Sequence, residues 1–248
     1  MRELGRAGHG LTAVDGTAPF NAIAAAKTKH ATPFKRPENG QFRPGSNFTE
    51  FYFDETGDTD NRTQATSVYG GFGAIFRLRL NGDHGQLSLV YNSPDAVHAG
   101  FDNCAFWDAD HIVFVEDAGD TLHTQRNAFD SAWLFDLNTD YSSGAQPVRI
   151  LAQGRDASAT LDPIISGTGF TGSFGNDGDN EITGIHISDG DATVDGLLGA
   201  KVPTPFENGW RVFYTQQHGD NVTYEITPKS QETRQTLTGS SQSLSPTR

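Results

Sequence analysis

Cysteine and methionine are nearly missing from this chain: there is one of each among 248 residues. Cys104 alone cannot build a disulfide framework or a cysteine-based zinc site, so redox chemistry says nothing of compartment. Positive charge is also scarce. Lys and Arg total 18 against 31 Asp and Glu, a net charge of −13. That balance argues against nucleic acid as a partner, because phosphate binding wants a basic face, and it favours cations. No apolar run is long enough to span a membrane, so no membrane partner is expected. The segment Met1–Gly10 is polar and lacks the apolar core of a signal peptide. Helical periodicity is confined to the Ala-rich stretch Asn21–Lys29.

Several catalytic signatures are missing as well. The eight His residues show no metalloprotease spacing, and no Gly-x-Ser-x-Gly elbow occurs. Gly167–Gly172 formally matches the dinucleotide fingerprint, but no amphipathic helix follows it. His111 and His186 lie in strand patterns and read as structural, whereas His123 and His218 lie in loops beside acidic residues. Cys104 sits in the apolar run Cys104–Trp107 and reads as a small buried hydrophobe.

What remains is a chain of short apolar or alternating runs bounded by Gly, Asn, Asp and Pro. These predict strands near Glu50–Asp54, Ala74–Leu80, Gln86–Tyr91, Cys104–Trp107, His111–Glu116, Ala132–Leu137, Val148–Ala152, Thr183–Ile187, Val212–Gln216 and Thr223–Ile226. One segment type recurs three times, with acidic or amide residues just ahead of a strand: Arg36-Pro37-Glu38-Asn39-Gly40, Asp102-Asn103, and Asp179-Asn180-Glu181. Repetition of this kind predicts an all-β chain, a β-propeller of four-stranded antiparallel blades, with about three blades present. The expected layout is an irregular segment or blade remnant over 1–33, blades over 34–227, and a disordered Ser/Thr/Gln-rich tail over 228–248.

Candidate site residues follow from the strand heads and strand ends. Pro37 before Glu38 and Gly40 after it predict a tight turn that presents the Glu38 carboxylate. Glu116 and Asp117 close an apolar strand, and hard oxygen donors there suit Ca²⁺ or Mg²⁺. Asp179 and Glu181 lie in the densest oxygen cluster, although EF-hand spacing is lacking. The Asp/Gly-rich stretch Asp54–Asp60 reads as a plain hairpin loop.

Arg36–Gly40, the strand from Asp102-Asn103 to Val115–Gly119, and Asn180–Gly184 together resemble the PhoX-type alkaline phosphatase family, specifically its C-terminal half. The resemblance implies a secreted or periplasmic propeller that hydrolyses phosphate monoesters at a cluster of calcium and iron. It implies Glu38, Glu116 and Glu181 as metal carboxylates, with Asn103 at a metal or the phosphate. This chain lacks the family's iron-ligating Cys segment and an identifiable set of phosphate-gripping Arg or Lys residues. Two further readings stay open: a non-catalytic calcium-stabilised propeller for binding or assembly, and a calcium-dependent lactonase-like propeller. With about three blades, ring closure is expected through self-association or through a missing N-terminal half.

Overall fold

The computed structural model describes residues 21–58, 63–67, 71–95, 98–117, 130–152, 181–197, 200–217 and 222–228. Eleven strands among these form three antiparallel sheets, each a meander or part of one. Sheet A takes β1 (Pro37–Phe42), β2 (Glu50–Glu55), β3 (Ala74–Asn81) and β4 (His84–Asn92) in that order. Sheet B takes β5 (Phe101–Phe106), β6 (His111–Glu116), β7 (Ser131–Asp136) and β8 (Val148–Ala152). Sheet C orders β11 (Thr223–Ile226), β10 (Arg211–Gln217) and β9 (Glu181–Ser188). Helix is minor. The Ala-rich run forms α1 (Ala22–Thr28), whose N-cap Asn21 side chain accepts from the Ala24 amide, and α2 (Val194–Leu197) is a single turn.

The described chain is therefore mostly β, and the expected strands are present with modest shifts at their ends. Two differences matter. The segment Pro37–Phe42, expected as a turn ahead of a strand, is itself strand β1. Gly40 does not turn the chain. It lies where a Cβ would stand 2.4 Å from Phe51 Cζ and 2.7 Å from the Tyr52 carbonyl oxygen. Close approach across the sheet, not a turn, is what demands glycine there.

Sheet B is buried on both faces, which explains why β6 reads as an unbroken apolar run rather than an alternation. Ile112 and Phe114 join Phe106, Trp133 and Phe135 in a core shared with Tyr52, Ile75 and Tyr91 of sheet A. Val113 and Val115 face the other way and join Ala132 with Ile182, Ile185, Ile187 and Val212 of sheet C. The first core is aromatic: Tyr52 meets Phe106 edge-on at 5.7 Å between ring centroids, and Tyr91 meets Phe135 at 5.1 Å. The second is aliphatic. Inner strand β5 lies beside both β1 and β9, so the three sheets stack in chain order.

The first two sheets repeat one another in detail. The Thr56 amide donates to the Arg36 carbonyl, and the Asp117 amide donates to the Gly100 carbonyl. Arg36 and Gly100 both hold positive φ, at 56° and 72°. Each inner strand is bulged near its head. The register slips between Pro37 and Gly40 in β1 and between Phe101 and Asn103 in β5. In β9, Gly184 pairs with Thr215 and Ile182 with Gln216, which leaves Thr183 as the extra residue.

Phe135 is fully buried and stacks edge-on against Phe101, Phe114, Tyr91 and Tyr141. Phe135→Ala is expected to lower unfolding free energy by about 3–5 kcal/mol, measured by urea denaturation. Phe48→Ala, at a ring that is 41% exposed, is the matched control and costs far less.

Candidate functional site at the bulged strand heads

The bulges set the site. A bulge adds one residue to a strand and re-aims the side chains around it. In β1 this happens at Glu38 and Asn39, and in β5 at Asp102. The two heads are tied directly, since Asn39 Nδ2 donates to Asn103 Oδ1 at 2.8 Å. Asn103 Nδ2 in turn donates to Asp102 Oδ2 at 2.6 Å. The Cys104 thiol lies 3.6 Å from Asn39 Oδ1, a weak donor contact. A second amide bond follows one pleat along, from the Phe106 N–H to Gln41 Oε1 at 2.8 Å.

Asp54 comes into this network from β2. Its Oδ1 accepts the Asn39 amide at 3.1 Å. Its Oδ2 is buried, and no described group bonds to it. The residue is 0% exposed. Burial, followed by the negative charge of Asp102, pushes its carboxyl up to about 8, with Glu38 adding to the rise. Asp102 is pushed up to about 6, mainly by burial, with Asp117 and Glu38 adding and the Asn103 bond opposing. Glu38 itself is exposed and stands 3.9 Å from Arg36. Burial and then Asp54 raise the Cys104 thiol well above its ordinary value, so it is held as a neutral thiol.

Glu38, Asp54, Asp102 and Asp117 thus act on one another electrostatically around a pair of asparagines. Carboxylates gathered in this way repel, and the cost falls when a cation or a proton joins them. Their oxygen chemistry fits a hard divalent cation. Among the described residues, however, no three His, Cys, Asp or Glu side chains stand close enough together to hold a metal ion. The described carboxylates are therefore not a finished cage.

Glu116 lies next to this cluster but is committed elsewhere. It is fully buried, with Oε1 accepting the Ala99 amide at 2.7 Å and Oε2 accepting the Ser131 amide at 2.9 Å. Glu55 does the same in sheet A, accepting the Lys35 amide at 2.7 Å. Both are structural braces at the end of a second strand. The corresponding position of sheet C is the buried Gln216. Asn103 uses both ends of its amide within the network, as acceptor from Asn39 and donor to Asp102.

Of the residues expected from sequence, Glu38, Asn103 and Asp117 share this neighbourhood. Glu181 opens β9, one residue ahead of Ile182 and two ahead of the bulged Thr183, so Thr183 rather than Glu181 occupies the place of Glu38 and Asp102. The side chain of Glu181, together with Asp179, His123 and His218, lies outside the described residues. His186 is exposed, and His111 pairs with Asp108 at 2.9 Å. Asp54 is the residue that sequence reasoning missed, because it was grouped with the Asp/Gly loop that follows. Alignment of the two units on Asn39 and Asn103 would have placed Glu55 with Glu116, and Asp54 with Val115 on the face toward the next sheet.

No family model, curated protein or solved structure matches the chain.

Two outcomes follow from these placements. Glu116→Ala removes two charge-assisted bonds from buried amides and is expected to cost about 3 kcal/mol in denaturant unfolding. Asp54 holds a proton in the folded state that an unfolded carboxyl releases at lower pH. The stability that this proton contributes is fully present below the usual carboxylate range and is lost as pH rises toward about 8. Asp54→Asn is expected to flatten that decline in melting temperature between pH 4 and pH 8.

Proposed function

We propose that this chain is a propeller-type segment that binds calcium at the acidic heads of its inner strands, with the cation serving binding or assembly. The observation that carries this reading is Asp54: a fully buried carboxyl with one oxygen unbonded by any described group, set against Asp102 and Glu38. A buried carboxylate without compensation is costly, and cores rarely keep one that serves only packing. Glu38, Asp54, Asp102 and Asp117 would supply hard oxygen donors on one side. The propeller reading is supported by three stacked antiparallel sheets with adjacent inner strands and matching bulges.

The likeness to PhoX-type phosphatases supplies a second reading, hydrolysis of phosphate monoesters at calcium with iron beside it. It shares the strand-head carboxylates with the first. The bracing role of Glu116 favours binding over turnover, since both of its oxygens are committed to main-chain amides. A lactonase-like reading would use the same donors and has no observation of its own.

Calcium titration followed by thermal melting is the test. Calcium is expected to raise the melting temperature, EDTA to reverse the rise, and Asp54→Asn with Asp102→Asn to abolish it. Hydrolysis of p-nitrophenyl phosphate, assayed with calcium and iron, is expected to stay at background. Turnover lost in Glu38→Ala would replace the binding reading with the phosphoesterase one, and indifference to calcium would sink both.

A further inference from the structure

The two sheet-to-sheet contacts follow one rule. The face of sheet B that carries Ile112, Phe114, Trp133 and Phe135 packs on sheet A, and its opposite face packs on sheet C. Counted back from the bracing glutamates, Phe51 and Phe53 of sheet A stand where Ile112 and Phe114 stand in sheet B. That face of sheet A is therefore built like a packing face. Its strands are paired Phe42 to Phe51, Phe51 to Leu78 and Leu78 to Leu87 along one row. A second row pairs Phe53 to Phe76 and Phe76 to Leu89. Directly opposed residues share a face, so both of these rows are apolar.

Loop residues add to it. Phe34 meets Phe53 edge-on at 5.1 Å and Phe76 at 5.3 Å, and Phe48 meets Phe42 at 5.4 Å. Among the described residues no further strand or helix packs across this surface. Leu89 is 58% exposed and Leu87 is 40% exposed. An apolar patch spread over four strands is larger than scattered surface leucines and marks an interaction site.

The opposite end of the stack has different chemistry. The outer face of sheet C carries Arg211, Phe213 and Glu225, with Arg211 paired to Glu225 at 2.7 Å and lying over the Phe213 ring at 5.0 Å. The exposed His186 pairs with Phe213 in the register and shares this face. Stacking sheet C of one copy on sheet A of another would bury an ion pair and a histidine against phenylalanines, at a desolvation cost. A head-to-tail ring of copies is disfavoured by that mismatch. Two copies of the sheet A face match each other, apolar against apolar, in the manner of an isologous two-fold interface.

We propose that the open face of sheet A is a self-association surface, pairing with the same face of a second copy to give a two-fold dimer. The surface includes Phe51, Phe53, Phe76, Leu87 and Leu89. The test is mass in solution, by size exclusion with light scattering across a dilution series. The expected result is a particle of twice the chain mass at high concentration. Leu89→Lys and, separately, Leu87→Lys change exposed positions, so the fold should survive, as checked by circular dichroism, while each variant runs at the mass of one chain. Arg211→Glu, on the opposite end, should leave the dimer intact. A wild-type chain that stays at single mass overturns the proposal. So does an assembly that Arg211→Glu disrupts and Leu89→Lys does not, because that pattern means head-to-tail stacking.

Discussion

Everything in sheets A and B hangs on a carboxylate that accepts main-chain amides at the end of a second strand. Glu116 reaches back to Ala99 and across to Ser131, so one side chain fixes where β5 begins and where β7 begins. Both oxygens are satisfied, and a buried charge so compensated rigidifies the surrounding backbone. Glu55 repeats the reach toward Lys35. With the strand starts fixed, the chain passes through a left-handed residue, Arg36 or Gly100, and enters the inner strand with a bulge. The bulge then decides which side chains meet at the head. Brace, left-handed step and bulge form one unit, used twice with different residues.

That unit separates two roles that look alike in sequence. Acidic residues at strand ends are braces in one place and site residues in another, and only their partners distinguish them. Glu116 spends both oxygens on amides, whereas Asp54, one residue ahead of the matching Glu55 in sheet A, keeps an oxygen that no described group bonds. Sheet B has Val115 at the position of Asp54, facing an aliphatic core. The substitution of valine by aspartate between equivalent units puts charge between sheets A and B and grease between sheets B and C.

The architecture was largely legible because its signals are local. Turn residues bound each strand, and the double burial of β6 shows as an unbroken apolar run from Ile112 to Val115. The helix at Ala22–Thr28 was visible in its alanines. Strand β1 was not legible, because Pro37, Asn39 and Gly40 are turn formers by local chemistry, and only cross-strand pairing with Phe51–Glu55 makes them a strand. The site was half legible. Glu38 and Asn103 could be read from repetition and Asp117 from its strand end, but the registers that put Asp54 beside them, and Thr183 where Glu181 was expected, are properties of bulges, and a bulge has no fixed sequence mark.

Among the described residues each sheet packs on its neighbours in chain order, which makes this part of the molecule close to one-dimensional. Its cohesion is then a sum of two interfaces, aromatic between A and B and aliphatic between B and C, rather than a single central core. Sheet B is clamped from both sides and opens only when the whole stack does. Among the described residues sheet C has three strands and one interface, so its amides are expected to open at the lower free energy of a local excursion, ahead of global unfolding. The chain thereby grades its own rigidity from middle to end, with β9 on the yielding side and β5 on the fixed side of the same inner row.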